Sequence, residues 1–174
     1  MESGGEMIGK KKMKVMVAID ESEGSFYALQ WTLDNLINSL FSASNEPSIE
    51  GGLITLIHVQ QPFSLGAYPV GPGGGAVVES VKKAQQETSA ALLSRALNMC
   101  SDKMVKAETL VVEGDAKDMI CQATEQNPVD LLVVGSRGLG KIKRAFLGSV
   151  SDYCSHHAKC PILIVRPPRE ILTK

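Results

Sequence analysis

Five short apolar runs, at residues 15–19, 53–59, 109–112, 131–134 and 162–165, recur along the chain with longer helical stretches between them. Runs of this length without polar alternation suit strands buried on both faces. Two strands can be parallel neighbours only if a crossover, usually a helix, carries the chain back to the starting edge. The alternation therefore predicts β-α-β-α-β-α-β-α-β, a parallel sheet held between two layers of helices. For the helices, Phe26, Leu29, Leu33, Leu36, Ile37 and Leu40 keep one-face spacing from Ser22 or Ser25 to about Leu40. A long helix is expected from Val77 to about Met104, one capped by Asp115 and Asp118 ahead of Pro128, and a short one from Ser149 to about His157. Between residues 60 and 76, Pro62, Pro69, Pro72 and three consecutive glycines predict a long mobile loop that carries Phe63 and Tyr68.

The most informative stretch is 131–151, LLVVGSRGLGKIKRAFLGSVS. A buried strand breaks at Gly135, Gly138 follows three residues on, nine residues intervene, and Gly148-Ser149 opens a helix. Glycine lets a ligand approach main-chain N–H groups without a Cβ in the way. A helix start adds unpaired N–H groups and a partial positive charge of about half a unit, which stabilises an anion. Arg137, Lys141, Lys143 and Arg144 make the loop electropositive, with no acid between Gly135 and Ser151. Two familiar phosphate motifs do not fit. Gly135, Gly140 and Lys141 match most of a P-loop, but Ile142 stands where Ser or Thr would ligate magnesium. The dinucleotide pattern G-x-G-x-x-G fails because the order here is G-x-x-G-x-G.

Asp20 stands just past the first strand, at the end where ligands gather in open α/β sheets. It can accept hydrogen bonds from a ribose diol or serve as a turn residue ahead of the next helix. His58, near the end of the second strand, invites pairing with Asp20 as base and orienter, but no motif sets a nucleophile beside it, so it reads as a satisfied polar residue. His156-His157 has no third ligand nearby and reads as surface rather than metal site.

Taken together, GSRG followed after nine residues by GS, VMVAIDES at 15–22, LIHV at 56–59, VVEGD at 111–115 and CPILIVR at 160–166 resemble the universal stress protein family. The N-terminal 12 residues and the Pro/Gly loop are similar to a plant-type member. The resemblance implies a five-stranded sheet of order 3-2-1-4-5, of the adenine nucleotide alpha hydrolase-like kind, which sets Asp20 beside Gly135 at the topological switch. It implies a stress-response protein that binds ATP or AMP as a regulatory or protective module, and magnesium can accompany ATP. Ala18, Ile19 and Val59 would hold the base and Asp20 the ribose. Gly135, Arg137, Gly138, Gly148, Ser149, Val150 and Ser151 would hold the phosphates, with Val134 and Ser136 also in the nucleotide site. It further implies a homodimer paired through the last strand, Ile162 to Val165, an edge that is otherwise an assembly liability. The rival readings are a slow ATPase or other adenine-nucleotide hydrolase, and a nucleotide-independent chaperone or interaction module. Hydrolysis needs a placed base and magnesium ligands, and only Asp20 and His58 offer themselves, so no catalytic residue and no protein metal site are expected.

With 174 residues the chain suits one domain, expected over residues 13–168 between a mobile tail at 1–12 and a short tail at 169–174. A net charge of −1 argues against a nucleic-acid partner, and no run reaches the roughly 18 apolar residues of a membrane helix. Cys100, Cys121, Cys154 and Cys160 show no paired spacing and read as free thiols in a reducing compartment. Without an apolar h-region near the start, the expected location is cytoplasmic, with room for a nuclear pool.

Overall fold

A computed structural model describes residues 13–37, 53–62, 74–136 and 147–168. Five strands, β1 (Lys14–Ala18), β2 (Leu53–Gln60), β3 (Ala107–Glu113), β4 (Leu131–Gly135) and β5 (Ile162–Val165), form one sheet in the order β3-β2-β1-β4-β5. Every pairing is parallel; Val17 lies opposite Leu56 of β2 on one side and Val133 of β4 on the other. The connecting helices are α1 (Glu23–Trp31), α2 (Gly74–Asp102), α3 (Ala116–Gln126) and α4 (Ser149–His157). This is the α/β architecture and strand order expected from the sequence.

Strand alternation explains the two cores. Val15, Val17 and Ile19 of the β1 segment point with Ile54, Leu56 and Val133 toward α1 and α2, where they meet Phe26, Leu29, Leu33, Leu93 and Ala96. Met16, Ile57, Leu132 and Val134 point the other way, onto Ile120, Cys121 and Ala123 of α3 and Cys154 of α4. Both faces of the central strands are thus buried, which is why their sequences lack polar alternation. Each large aliphatic side chain so buried contributes about 1.5–3 kcal/mol.

The elements depart from expectation at three places. The first helix does not run on regularly: Thr32–Ile37 is π-helical. Thr32 Oγ1 donates to the Ala28 carbonyl at 2.8 Å, beside the Thr32 N–H that the same carbonyl accepts, and Asn35 Nδ2 donates to the Trp31 carbonyl at 2.9 Å. Ile37 still reaches the core, Leu36 is half-buried, and Leu40 lies outside the described residues. The second difference is that α2 begins at Gly74 instead of Val77 and buries residues only from Ser89 onward. The glycines of its first turn conceal that start. Third, β3 is longer than 109–112 at both ends, since Glu108 and Glu113 at an exposed edge mask the strand signal. Both expected tails lie outside the described residues, as does the loop around Phe63 and Tyr68.

Candidate functional site

β1 sits between β2 and β4, so the chain leaves its C-terminal end at the point where the sheet order reverses. The exit is built by a short polar segment, Asp20-Glu21-Ser22. Ser22 caps α1 by accepting the Ser25 N–H on its hydroxyl at 3.3 Å. Ser25 returns the constraint: its hydroxyl takes the Asp20 N–H at 3.2 Å and donates to the Asp20 carbonyl at 2.9 Å. The Asp20 carboxylate accepts the Ser22 N–H at 3.0 Å on Oδ1, and the Ser22 hydroxyl donates to the same oxygen. Asp20 therefore does serve the turn, and it also lines the cleft that opens at this end of the sheet.

That cleft has a volume of about 260 Å³, near the lower end of the roughly 300–1,000 Å³ common for ligand sites. Its apolar part comes from Ala18, Ile57 and Val59 of the sheet ends, Val134 of β4, Ile120 of α3 and Val150 of α4. Its polar part joins Asp20 and its neighbours to Gly148, Ser149 and Ser151 at the start of α4. A flat apolar group and an anion could thus be held side by side.

Gly148 caps α4 with no side-chain hydrogen bond, so the first-turn amides point out of the helix end without a cap from a side chain. At φ −62° and ψ 153° its backbone is one that any residue adopts. Ser151 is buried, and its hydroxyl donates back to the Gly148 carbonyl at 2.9 Å, leaving only lone pairs toward the cleft; Ser149 is exposed. Asp152, also in the first turn, offsets part of the helix-end charge from an exposed position. Behind the mouth, α4 is tied to α3. Cys154 Sγ lies 3.7 Å from Cys121 Sγ, and a hydrogen bond to the Asp118 carboxylate leads the causes that push the Tyr153 hydroxyl pKa up.

Of the residues singled out from the sequence, Ala18, Ile19, Asp20, Val59, Val134, Gly135, Gly148, Ser149, Val150 and Ser151 all line this one cleft. Ser136 stands apart: it is buried, and its amide donates to the Val165 carbonyl at 2.8 Å, extending the β4–β5 ladder. Arg137 and Gly138 lie outside the described residues. Gly135 has a reason of its own to be glycine. A Cβ there would meet the Gly24 carbonyl oxygen at 2.5 Å and the Ser25 nitrogen at 2.9 Å, so the missing side chain makes room for the first turn of α1.

Sequence reasoning passed over Glu21, Ser22, Ser25, Ile57, Gln61, Ala116 and Ile120, which also line the cleft. Ala116 and Ile120, four apart at the start of a helix, carried the only legible signal. His58 was set aside as a satisfied polar residue, and it is buried with Nδ1 2.9 Å from the Ile19 carbonyl. Among the described residues no three His, Cys, Asp or Glu side chains converge as a metal site, and none of the helices is long and apolar enough to cross a membrane. His157 instead stacks on Tyr153 with ring centroids 3.9 Å apart.

Comparison with known proteins gives a consistent picture. Residues 12–166 match the model of the universal stress protein family. A universal stress protein A-like protein of Arabidopsis thaliana is 33% identical over 171 residues, covering 91% of this chain and 93% of its own. A universal stress protein of Bacillus subtilis is 28% identical over 159 residues, covering 88% and 98%. A crystal structure of an Arabidopsis thaliana family member with AMP bound superposes with a TM-score of 0.64 at 28% identity, covering 91% of this chain and 94% of that one. A universal stress protein of Lactobacillus plantarum shares the fold at 19% identity, with a TM-score of 0.64 over 91% and 100%.

Proposed function

The chain belongs to the universal stress protein family, and from that premise we propose that its cleft binds an adenine nucleotide, AMP or ATP, making the protein a nucleotide-dependent regulatory or protective module of the stress response. The observation that carries this reading is the cleft's composition. A carboxylate at the β1 exit and a helix mouth without a side-chain cap face one cavity that also has an apolar wall of Ala18, Ile57, Val59, Ile120, Val134 and Val150. In this reading the base lies against Ala18, Ile19 and Val59, the ribose hydroxyls donate to Asp20, and the phosphates meet Gly148, Ser149, Val150 and Ser151 below Val134 and Gly135. The Arabidopsis relative with AMP bound supports it, since that chain is similar over nearly its whole length. Hydrolysis forms no part of the reading. A second copy of the chain pairs along β5, which ends the sheet.

Gly148→Val tests the site. The backbone there accommodates valine, so circular dichroism should report an unchanged fold, while the branched side chain fills the path to the first-turn amides. Calorimetry should find AMP and ATP binding in the parent and none in the variant. Undiminished affinity in the variant would sink the assignment.

A further inference from the structure

β1 pairs with β2 as far as Ala18↔Ile57, and the Ile19 N–H adds one more bond to the Ile57 carbonyl at 2.8 Å. Past that point the chain has three residues in which to turn into α1, and Asp20 is the first of them. The carbonyl of Ile19 is met there by a side chain, His58 Nδ1 at 2.9 Å. A carbonyl oxygen only accepts, so Nδ1 carries a proton in this bond. The imidazole is buried, at 9% exposure. It comes from the strand face that carries Ile54 and Leu56, lines the cleft beside Ile19 and Val59, and holds the peptide that precedes Asp20.

We propose that His58 is the positioning residue for ribose recognition: its Nδ1–H, bonded to the Ile19 carbonyl, sets the Asp20 carboxylate at the height where both ribose hydroxyls reach it. This rests on the nucleotide reading above. Asp20 is anchored on its helix side by Ser22 and Ser25; His58 supplies the anchor on the strand side, where the ladder has ended. A carboxylate held from one side only can follow the turn away from the ligand, and placement errors of a fraction of an ångström weaken oriented contacts. His58 then governs discrimination between ribose and deoxyribose more than overall affinity, because base and phosphate contacts lie elsewhere in the cleft.

The test compares His58→Leu, which removes the donor, with His58→Asn, whose amide N–H can take the place of Nδ1–H. Calorimetry with AMP and 2′,3′-dideoxy-AMP should give the parent a preference for ribose of roughly tenfold or more, the size of a charge-assisted pair of hydrogen bonds. His58→Leu should lose most of that ratio, His58→Asn should keep it, and adding Asp20→Asn to His58→Leu should lower it no further. A ratio unchanged in His58→Leu overturns the proposal, as does a uniform loss of affinity for both ligands. An independent reading needs no variant: two-bond ¹H–¹⁵N correlation spectra of the parent should show His58 protonated at Nδ1, and an Nδ1 without a proton overturns the proposal even if His58→Leu fails to fold. A parent that binds AMP without preferring ribose rejects the role of His58 and leaves the nucleotide site standing. A parent that binds no adenine nucleotide rejects both.

Discussion

Cys154 is fully buried, and desolvation pushes its thiol up to about 12, as it pushes Cys100 up to about 11. Burial likewise raises Cys121, against the S–H contact with Cys154 that lowers it. The thiolate is the reactive form, so all three should be inert in the native protein at neutral pH. Iodoacetamide at pH 8 should therefore modify Cys160, the half-buried member, and spare the other three until denaturant is added. Mass spectrometry of the native, labelled protein decides it, and carbamidomethyl on Cys154 would contradict the packing of α4. The sequence reads all four cysteines as buried free thiols, which holds for Cys100, Cys121 and Cys154 but not for half-buried Cys160. The approach of two of them to 3.7 Å was not readable there, because it depends on how α3 and α4 lean together. Asp20 teaches the same lesson. Its place after a strand pointed to a ligand role or a turn role, and the folded chain gives it the turn bonds while leaving it on the cleft wall.

Among the elements, the contact between α1 and β4 depends most sharply on one atom. Gly24 and Gly135 face each other at the join, and a Cβ on Gly24 would lie 3.3 Å from the Ser136 carbonyl oxygen, while one on Gly135 would clash outright. Gly135→Ala should push the first turn of α1 off the sheet. The cost should be about 1–3 kcal/mol, the range for overpacking a close-packed site. Urea unfolding should show a lowered midpoint with little change in slope. Gly75→Ala, where a Cβ would meet nothing within 4 Å, serves as the matched control and should not lower stability. A midpoint unmoved by Gly135→Ala would show that the join is looser than its geometry. In sequence, Gly135 carried weight as a glycine for ligand approach, and its service to α1 was hidden. The partner atom lies 111 positions earlier, and no local pattern reports on so distant a contact.

At the scale of the whole molecule, the two edges of the sheet differ in how they are guarded. β3 carries exposed Glu108 and Glu113, and its Val111 is 46% exposed. β5 has half-buried Ile162, Leu163 and Ile164, no charge, and proline on either flank at Pro161 and Pro167. Charges keep an edge from pairing, while the prolines limit pairing on β5 to four residues, a register too short to propagate into fibres. Sedimentation equilibrium should accordingly give twice the mass of one chain, independent of salt up to about 0.5 M, since screening affects charged contacts and not backbone pairing. A single-chain mass at micromolar concentration would remove the second copy from the proposed assembly.

The sequence by itself determined the class of fold and the family, because buried parallel strands must be continuously apolar and must be joined by helices, and both signals are local. It also marked ten residues that the fold gathers into one cleft, since strand ends and helix starts converge wherever the sheet order reverses. What only the tertiary structure decided is who holds those residues in place: His58 on the Ile19 carbonyl, Ser25 around Asp20, Gly24 against Gly135, and Cys121 against Cys154. Ser25 and Asp20 are five residues apart, but the other three contacts join distant segments whose approach follows from how strands and helices pack in the fold, a quantity no window along the chain contains.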